Sequence, residues 1–413
     1  MSQNQAGRSA ERRVQILTAA AHLFRQRGFV GVGIDDIGAA VGVSGPAVYR
    51  YFPSKQAVLA EIVRGYVRAL GAECGRRAQA AARTGGDAAV ERYILDSAIT
   101  VGLRDPDGLV VYLRQLAYLD PADRESILAD RKALADAWDS VLRSLHVDGA
   151  LAARQLRLRC VAGVLIHVAL TKLTTPQPRE DLAKQMVTSI LEVTLPDSLE
   201  QPHHGPGGES GVALRHASRR EAILAASTRL FRERSFNGVS LRDIGAAVDI
   251  SASAVNRHFE SKEQLLATAF NRAAEQIAAG IAGAIGRAGT PAEAAVEIVT
   301  VYTQLAIECR DLIVINATEM HFLPESHRTT RRRNQRMYVE ELAQMLAAAR
   351  PELGVSECRI RAGCVFGLVN EAVMKDSLLR RPNLIDELTV MGLALLGLPA
   401  DQTATVSSTC DCV

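Results

Sequence analysis

Residues 34–52, IDDIGAAVGVSGPAVYRYF, recur at residues 241–259 as LRDIGAAVDISASAVNRHF. Outward from this stretch the match runs without a gap, Arg12–Lys55 onto Arg219–Lys262, and 25 of those 44 positions are identical. A spacing of 207 residues lies far beyond the roughly 20–50 residues of solenoid repeats. It denotes two domains of one kind fused head to tail. Within the first copy, Ile16, Leu17, Ala20, Leu23 and Phe24 recur at helical spacing, and Gly28 is placed to cap that helix at its C-terminus. A second helix is predicted over about 35–41. Gly42 then turns the chain, and Ser44 is placed to N-cap a third helix reaching about Tyr51. Pro46 falls in its first turn, where the missing N–H and fixed φ do no harm. Ser54 caps a long fourth helix, and the second copy adds a capping-box pair, Ser261 with Gln264.

The rest of each half is helical by pattern. Helices are expected near 87–104, 108–119, 121–146, 149–173 and 179–194, then near 291–309, 311–320, 325–349, 356–380 and 384–397. No period-2 run of strand length occurs, so the fold class is all-α: two tandem domains, each a three-helix head followed by a helical body. The expected boundaries are 9–56 for the first head, 57–195 for the first body, 196–213 for a Pro/Gly-rich linker, 214–263 for the second head, 264–398 for the second body and 399–413 for a disordered tail. Net charge is only +2, so a nucleic-acid signal must be local rather than global. No apolar run approaches the roughly 18 residues of a membrane span, and the N-terminus lacks a signal-peptide core. The seven cysteines, at 74, 160, 309, 358, 364, 410 and 412, are odd in number and scattered. That suits a reducing compartment, and the expected location is cytoplasmic, on the nucleoid. His203-His204 and Cys410/Cys412 are read as linker and tail residues, and neither a metal nor a cofactor is expected.

Two short helices joined by a tight turn, the second beginning at Ser and ending in aromatics, form a helix-turn-helix whose second helix fits the major groove. The run from Ile34 to Phe52 resembles the DNA-binding domain of TetR-family regulators, as do Leu23-Phe24 and Gly28-Phe29 before it and Ser54-Lys55 with Leu59 after it. The resemblance implies that Tyr49 bonds a phosphate and Lys55 pairs with another. Ser44, Gly45, Pro46 and Ala47 face base edges, with Arg50 beside them, and Arg8, Arg12 and Arg13 touch the backbone or minor groove. Small base-facing residues imply readout by methyl contact, water and shape. The second head departs from this pattern: Asp249 replaces Gly42, Asn256 replaces Tyr49 and His258 replaces Tyr51. Its base-facing set becomes Ser251, Ala252 and Ser253 (with Ala254), accompanied by Asn256, Arg257, Arg219, Arg220 and Lys262. The expectation is a second reader with a different preference; the alternative is an interaction or co-regulatory module whose second head no longer binds DNA.

Resemblance to tandem TetR regulators of actinobacteria covers nearly the whole chain. It implies a double-stranded DNA operator, a small apolar effector (lipid, acyl or sterol-like) and control, most simply repression, of lipid or sterol genes. The effector cage is expected around Tyr93, Leu109, Tyr112, Leu113, Leu116, Tyr118 and Trp138, most of which read equally well as core. The family dimerises through its last two helices. Here segments 149–173 and 356–380 align, with Arg157, Cys160, Val161 and Gly163 matched by Arg361, Cys364, Val365 and Gly367. An intrachain pseudo-dimer and an asymmetric operator are therefore expected, with further self-association on DNA left open. His167 and Glu371 occupy matched interface positions and are expected to be satisfied there rather than to bind ligand. The basic run Arg328, Arg331, Arg332, Arg333 and Arg336 is expected to be a solvated helix face. An enzyme is not expected: the sequence has no P-loop, no GxGxxG after a strand, no HExxH and no nucleophile elbow.

Overall fold

The computed structural model describes residues 2–84, 87–144, 151–172, 175, 177–196, 218–318 and 320–399. The expected linker, apart from Pro196, and the tail beyond Pro399 lie outside the described residues, as do His203, His204, Cys410 and Cys412. Among the described residues the secondary structure is helical, without strands. The chain divides into two compact units, Met1–Arg154 and Gln155–Val413.

The first unit contains α1 (Ser2–Arg27), α2 (Ile34–Ala40), α3 (Gly45–Val48), α4 (Lys55–Thr84), α5 (Asp87–Arg104), α6 (Pro106–Arg114) and α7 (Pro121–Ser144). The head is α1–α3 with the start of α4, and Ile16, Phe24, Ile37, Val48, Phe52 and Leu59 close its core. Gly28 ends α1 at φ 69°, as the sequence predicts. The expected single helix over 108–119 is instead α6 followed by a 3₁₀ turn at Leu116–Tyr118. Phe29 stacks on Tyr118 at 5.3 Å and also meets Phe24, so one aromatic string ties the head to the body.

The second unit opens with α8 (Leu151–Leu170, of which it holds all but the first turn) and α9 (Arg179–Glu192). The second head follows as α10 (Arg219–Arg234), α11 (Leu241–Ala246), α12 (Ala252–Asn256) and the start of α13 (Lys262–Arg287). The second body adds α14 (Pro291–Glu308), α15 (Arg310–Thr318), α16 (Glu325–Ala349), α17 (Val355–Val373) and α18 (Leu384–Leu396). The aromatic string repeats: Phe236 meets Phe231 at 5.0 Å and stacks on Phe322 at 5.2 Å. The expected helix over 356–380 ends at Val373, where the chain passes into turns held by Lys375 N donating to Ala372 O and Leu378 N to Lys375 O.

The last two helices of the first half thus share a compact unit with the second half. α9 packs on α18, burying Leu182, Ala183, Met186, Val187, Ile190 and Leu191. α8 meets α17 backbone to backbone: a Cβ built at Gly163 would overlap the Gly367 carbonyl, and one at Gly367 would lie 2.9 Å from the Gly163 carbonyl oxygen. Side chains larger than hydrogen would hold these helices apart.

Candidate nucleic-acid interface

Both heads are locked by the same internal bonds. Arg12 donates to the Val41 carbonyl at 2.9 Å, just past the end of α2, and Arg219 to the Val248 carbonyl at 3.3 Å. Arg13 donates to Tyr51 O at 2.7 Å while lying over the Phe52 ring; Arg220 does the same with His258 O and Phe259. Lys55 Nζ donates to Phe29 O and Val32 O at 2.9 and 2.8 Å, and Lys262 to Phe236 O and Val239 O at 2.8 and 2.7 Å. Burial lowers the Lys55 ammonium from its ordinary pKa, with Asp36 opposing. A cation placed on orphan carbonyls at a helix end or tight loop satisfies acceptors that would otherwise be stranded.

Lys55 and Lys262, expected to pair with phosphates, and Arg12, Arg13, Arg219 and Arg220, expected to touch the DNA backbone, each have an intramolecular carbonyl partner in this structure. The carbonyls they clamp lack a helical partner; Lys55 and Lys262 are half-buried there, whereas Arg219 and Arg220 stay exposed. Gly45 is the residue expected at a base edge beside Ser44. It is buried, and a Cβ there would collide with the Asp35 carboxylate. Gly38 and Gly245 make the turn tight in both heads: Cβ atoms there would lie 2.8 and 2.6 Å from the carbonyl oxygens of Val43 and Ile250.

What remains on the outer face of the second helix-turn-helix element is a short row. In the first head Ser44, Pro46, Tyr49 and Arg50 are exposed, Tyr49 by 54%, with Ala47 half-buried. In the second head Ser251, Ser253, Asn256 and Arg257 are exposed, with Ala252 and Ala254 half-buried. The two identical serines do different work. Ser251 Oγ accepts from Ala254 N at 3.2 Å and lies 2.9 Å from Ser253 Oγ. Ser44 sits at the N-cap position but makes no cap bond, contrary to the expected cap.

Sequence reasoning does not single out two further exposed residues of the second head as candidate contacts. His258 stands exposed where the first head has the half-buried Tyr51, and Arg242 stands exposed in the first turn of α11 where the first head has Asp35. The signal that marks them is a pair of mismatches inside the repeat, each altering local charge or hydrogen-bonding capacity. The turn itself is preserved despite Asp249, which adopts φ 55° where Gly42 adopts 71°. Ser235, matched to Gly28, also has a positive φ, 61°, with an extended ψ of 160°.

Of the expected effector residues, Tyr112 is buried, stacked on Tyr66 at 5.2 Å and covered by Arg131; Leu109 and Leu116 are buried and Leu113 and Tyr118 half-buried. The side chains of Tyr93 and Trp138 lie outside the described residues. The described members of this set lie in the core or at its edge. In the basic run Arg332, Arg333 and Arg336 are exposed, whereas Arg328 and Arg331 are half-buried, Arg331 lying over the Phe270 ring at 5.7 Å. On the interface helices Glu371 is buried and ion-paired with Arg159 at 2.9 Å, and His167 lies against Gly363. Among the described helices none is long and apolar enough to cross a membrane.

The model of the bacterial regulatory proteins of the tetR family matches residues 16–62 and 223–269, the two heads. The HTH-type transcriptional repressor KstR2 of Rhodococcus jostii RHA1 is 26% identical over 206 residues, 47% of this chain and 93% of that protein. The HTH-type transcriptional regulator EthR of Mycolicibacterium smegmatis is 38% identical over 53 residues, 13% of this chain and 24% of that one. A solved TetR-family regulator from Bordetella parapertussis 12822 aligns with 43% of this chain and 95% of its own length, at 21% identity and a TM-score of 0.39. The chain carries two copies of the helix-turn-helix DNA-binding domain of the bacterial tetR family of regulatory proteins, one at the head of each half.

Proposed function

We propose that this chain is an effector-responsive repressor that reads an asymmetric operator with two working, non-identical heads. The observation that carries this reading is the contrast between scaffold and outer row. The clamps at 12/219, 13/220 and 55/262 are the same in both heads, so the recognition helices are presented alike, while the exposed row changes from Pro46 and Tyr49 to Ser253 and Asn256. Equal presentation with unequal side chains gives unequal half-sites. Exposed Arg242 and Arg257 favour a second head that still binds DNA over one that only packs, since both are free to reach solvent and would be available to phosphates. Tyr49, Arg50, Asn256 and Arg257 would supply direct contacts; Arg12, Arg13, Lys55 and their counterparts act by holding the heads in shape.

The packing of α8 and α9 with α17 and α18 supports a further reading, that one polypeptide supplies both halves of the family's usual dimer. Domain limits follow the repeat, as in 9–56 and 214–263 for the heads. The regulated genes are proposed to concern lipid or sterol uptake and breakdown, on the resemblance of this two-headed layout to the tandem TetR repressor of a mycobacterial mammalian-cell-entry operon. The effector is correspondingly proposed to be a small apolar molecule. Binding of the full chain to genomic fragments across a salt series tests the core of this reading. A reader gives log K falling linearly with log salt; a module that only binds protein gives no salt-dependent retention of DNA.

A further inference from the structure

The interface helices α8 and α17 are related by a fixed offset of 204 residues, which matches Arg159 to Gly363, Gly163 to Gly367 and His167 to Glu371. Gly163 touches its own counterpart, Gly367. In a two-fold interface a residue that meets its own equivalent lies on the axis, and every other contact occurs twice. The contact between 159 and 371 should therefore have a second copy between 363 and 167, and it does. The two copies use opposite chemistry. Arg159 donates to the Glu371 carbonyl at 3.0 Å and pairs with its carboxylate at 2.9 Å, with Glu371 only 1% exposed. At the other copy, the His167 ring fills the space above Gly363 so closely that a Cβ there would overlap the imidazole. Beside this pair, Arg361 donates to Gln185 at 3.1 Å across to α9.

We propose that positions 159/371 and 363/167 form a two-part pairing code that commits each interface helix to the opposite half and rejects a copy of itself. This deepens, and rests on, the single-chain pairing proposed above. Two first halves meeting through α8 would set Arg159 against His167 twice, with no carboxylate for the guanidinium and no glycine to receive the ring. Two second halves meeting through α17 would set Glu371 against Gly363 twice, leaving two buried carboxylates without a cation and two voids. Removing one member of a buried ion pair strands the other charge, which is far more damaging than replacing both. Selection against the like partner is thereby built into the same residues that favour the unlike one.

The full chain provides the test. His167→Glu makes α8 complementary to itself, because Arg159 of one copy then meets the introduced carboxylate of another, while within the chain that carboxylate faces only Gly363. The variant is expected to melt several degrees below wild type and to sediment as two-chain particles as concentration rises, whereas wild type keeps single-chain mass. Adding Gly363→Arg recreates at 363/167 the pair found at 159/371, and is expected to return both melting temperature and mass toward wild type. The proposal is overturned if H167E keeps single-chain mass at every concentration, or if Gly363→Arg fails to reverse its effect. Wild type at two-chain mass would remove the single-chain reading alone, because the reversal of H167E by G363R in the melt would still report the code.

Discussion

Lys55 and Tyr49 show how alike two readings are on paper and how different they are in space. Both fall in the family motif, yet Lys55 donates to two loop carbonyls while Tyr49 stands outside. Lys55→Ala is therefore expected to destabilise the DNA-free protein by about 2–3 kcal/mol, the loss of charge-assisted bonds from partly buried acceptors, measurable by denaturant melts. Tyr49→Phe is expected to leave stability within about 0.5 kcal/mol and to weaken DNA binding at every sequence; binding equal to wild type would remove its phosphate contact. Asp249 holds a left-handed backbone that Gly42 holds without strain. Asp249→Gly is expected to stabilise the second head by about 1 kcal/mol, visible as slower amide exchange in α11 and α12. The sequence carried the residue types and positions of the heads but not the directions of their long side chains. An arginine or lysine stem reaches either a carbonyl or a phosphate from the same Cα, and only the fold decides which.

At the scale of elements, periodicity located nearly every helix to within a few residues, because buried apolar positions recur along each one. It failed where length, rather than face, was at issue: the 108–119 segment breaks at Gln115, and 356–380 stops at Val373. Gln115 is buried and accepts from Phe29 N at 3.3 Å, so the break serves the junction between body and head, a non-local demand that no local pattern records. In the second half that junction is the string Phe231–Phe236–Phe322, and Phe236→Ala is expected to cost about 3–5 kcal/mol, read as a lower denaturation midpoint. The α8–α17 contact carries a pH dependence of known sign. Burial lowers the pKa of His167 to about 4, below the value of about 6.5 in an unfolded chain. The unfolded state thus takes up the proton first. Stability from this site is fully present above about pH 6.5 and is lost as pH falls toward 4. Denaturant midpoints across that range are expected to slope downward for wild type and to flatten in His167→Gln.

For the molecule as a whole, fusion relaxes a constraint that a homodimer cannot escape. Two identical subunits present identical recognition helices and are matched to palindromes; one chain with two heads is free to let them diverge. Divergence here includes the outer rows and the strained turns, while the clamps, the tight glycines Gly38 and Gly245 and the aromatic strings persist in both halves. The same asymmetry runs through the paired helices, where Arg159–Glu371 and His167–Gly363 occupy equivalent places. The most direct measurement is selection of bound DNA from a random pool by the full chain, followed by footprinting of the winning sequences. Two dissimilar half-sites are expected, with Pro46→Ser/Tyr49→Asn shifting the preference of one of them alone. A clean inverted repeat, read alike on both sides by the wild-type chain, would contradict the account.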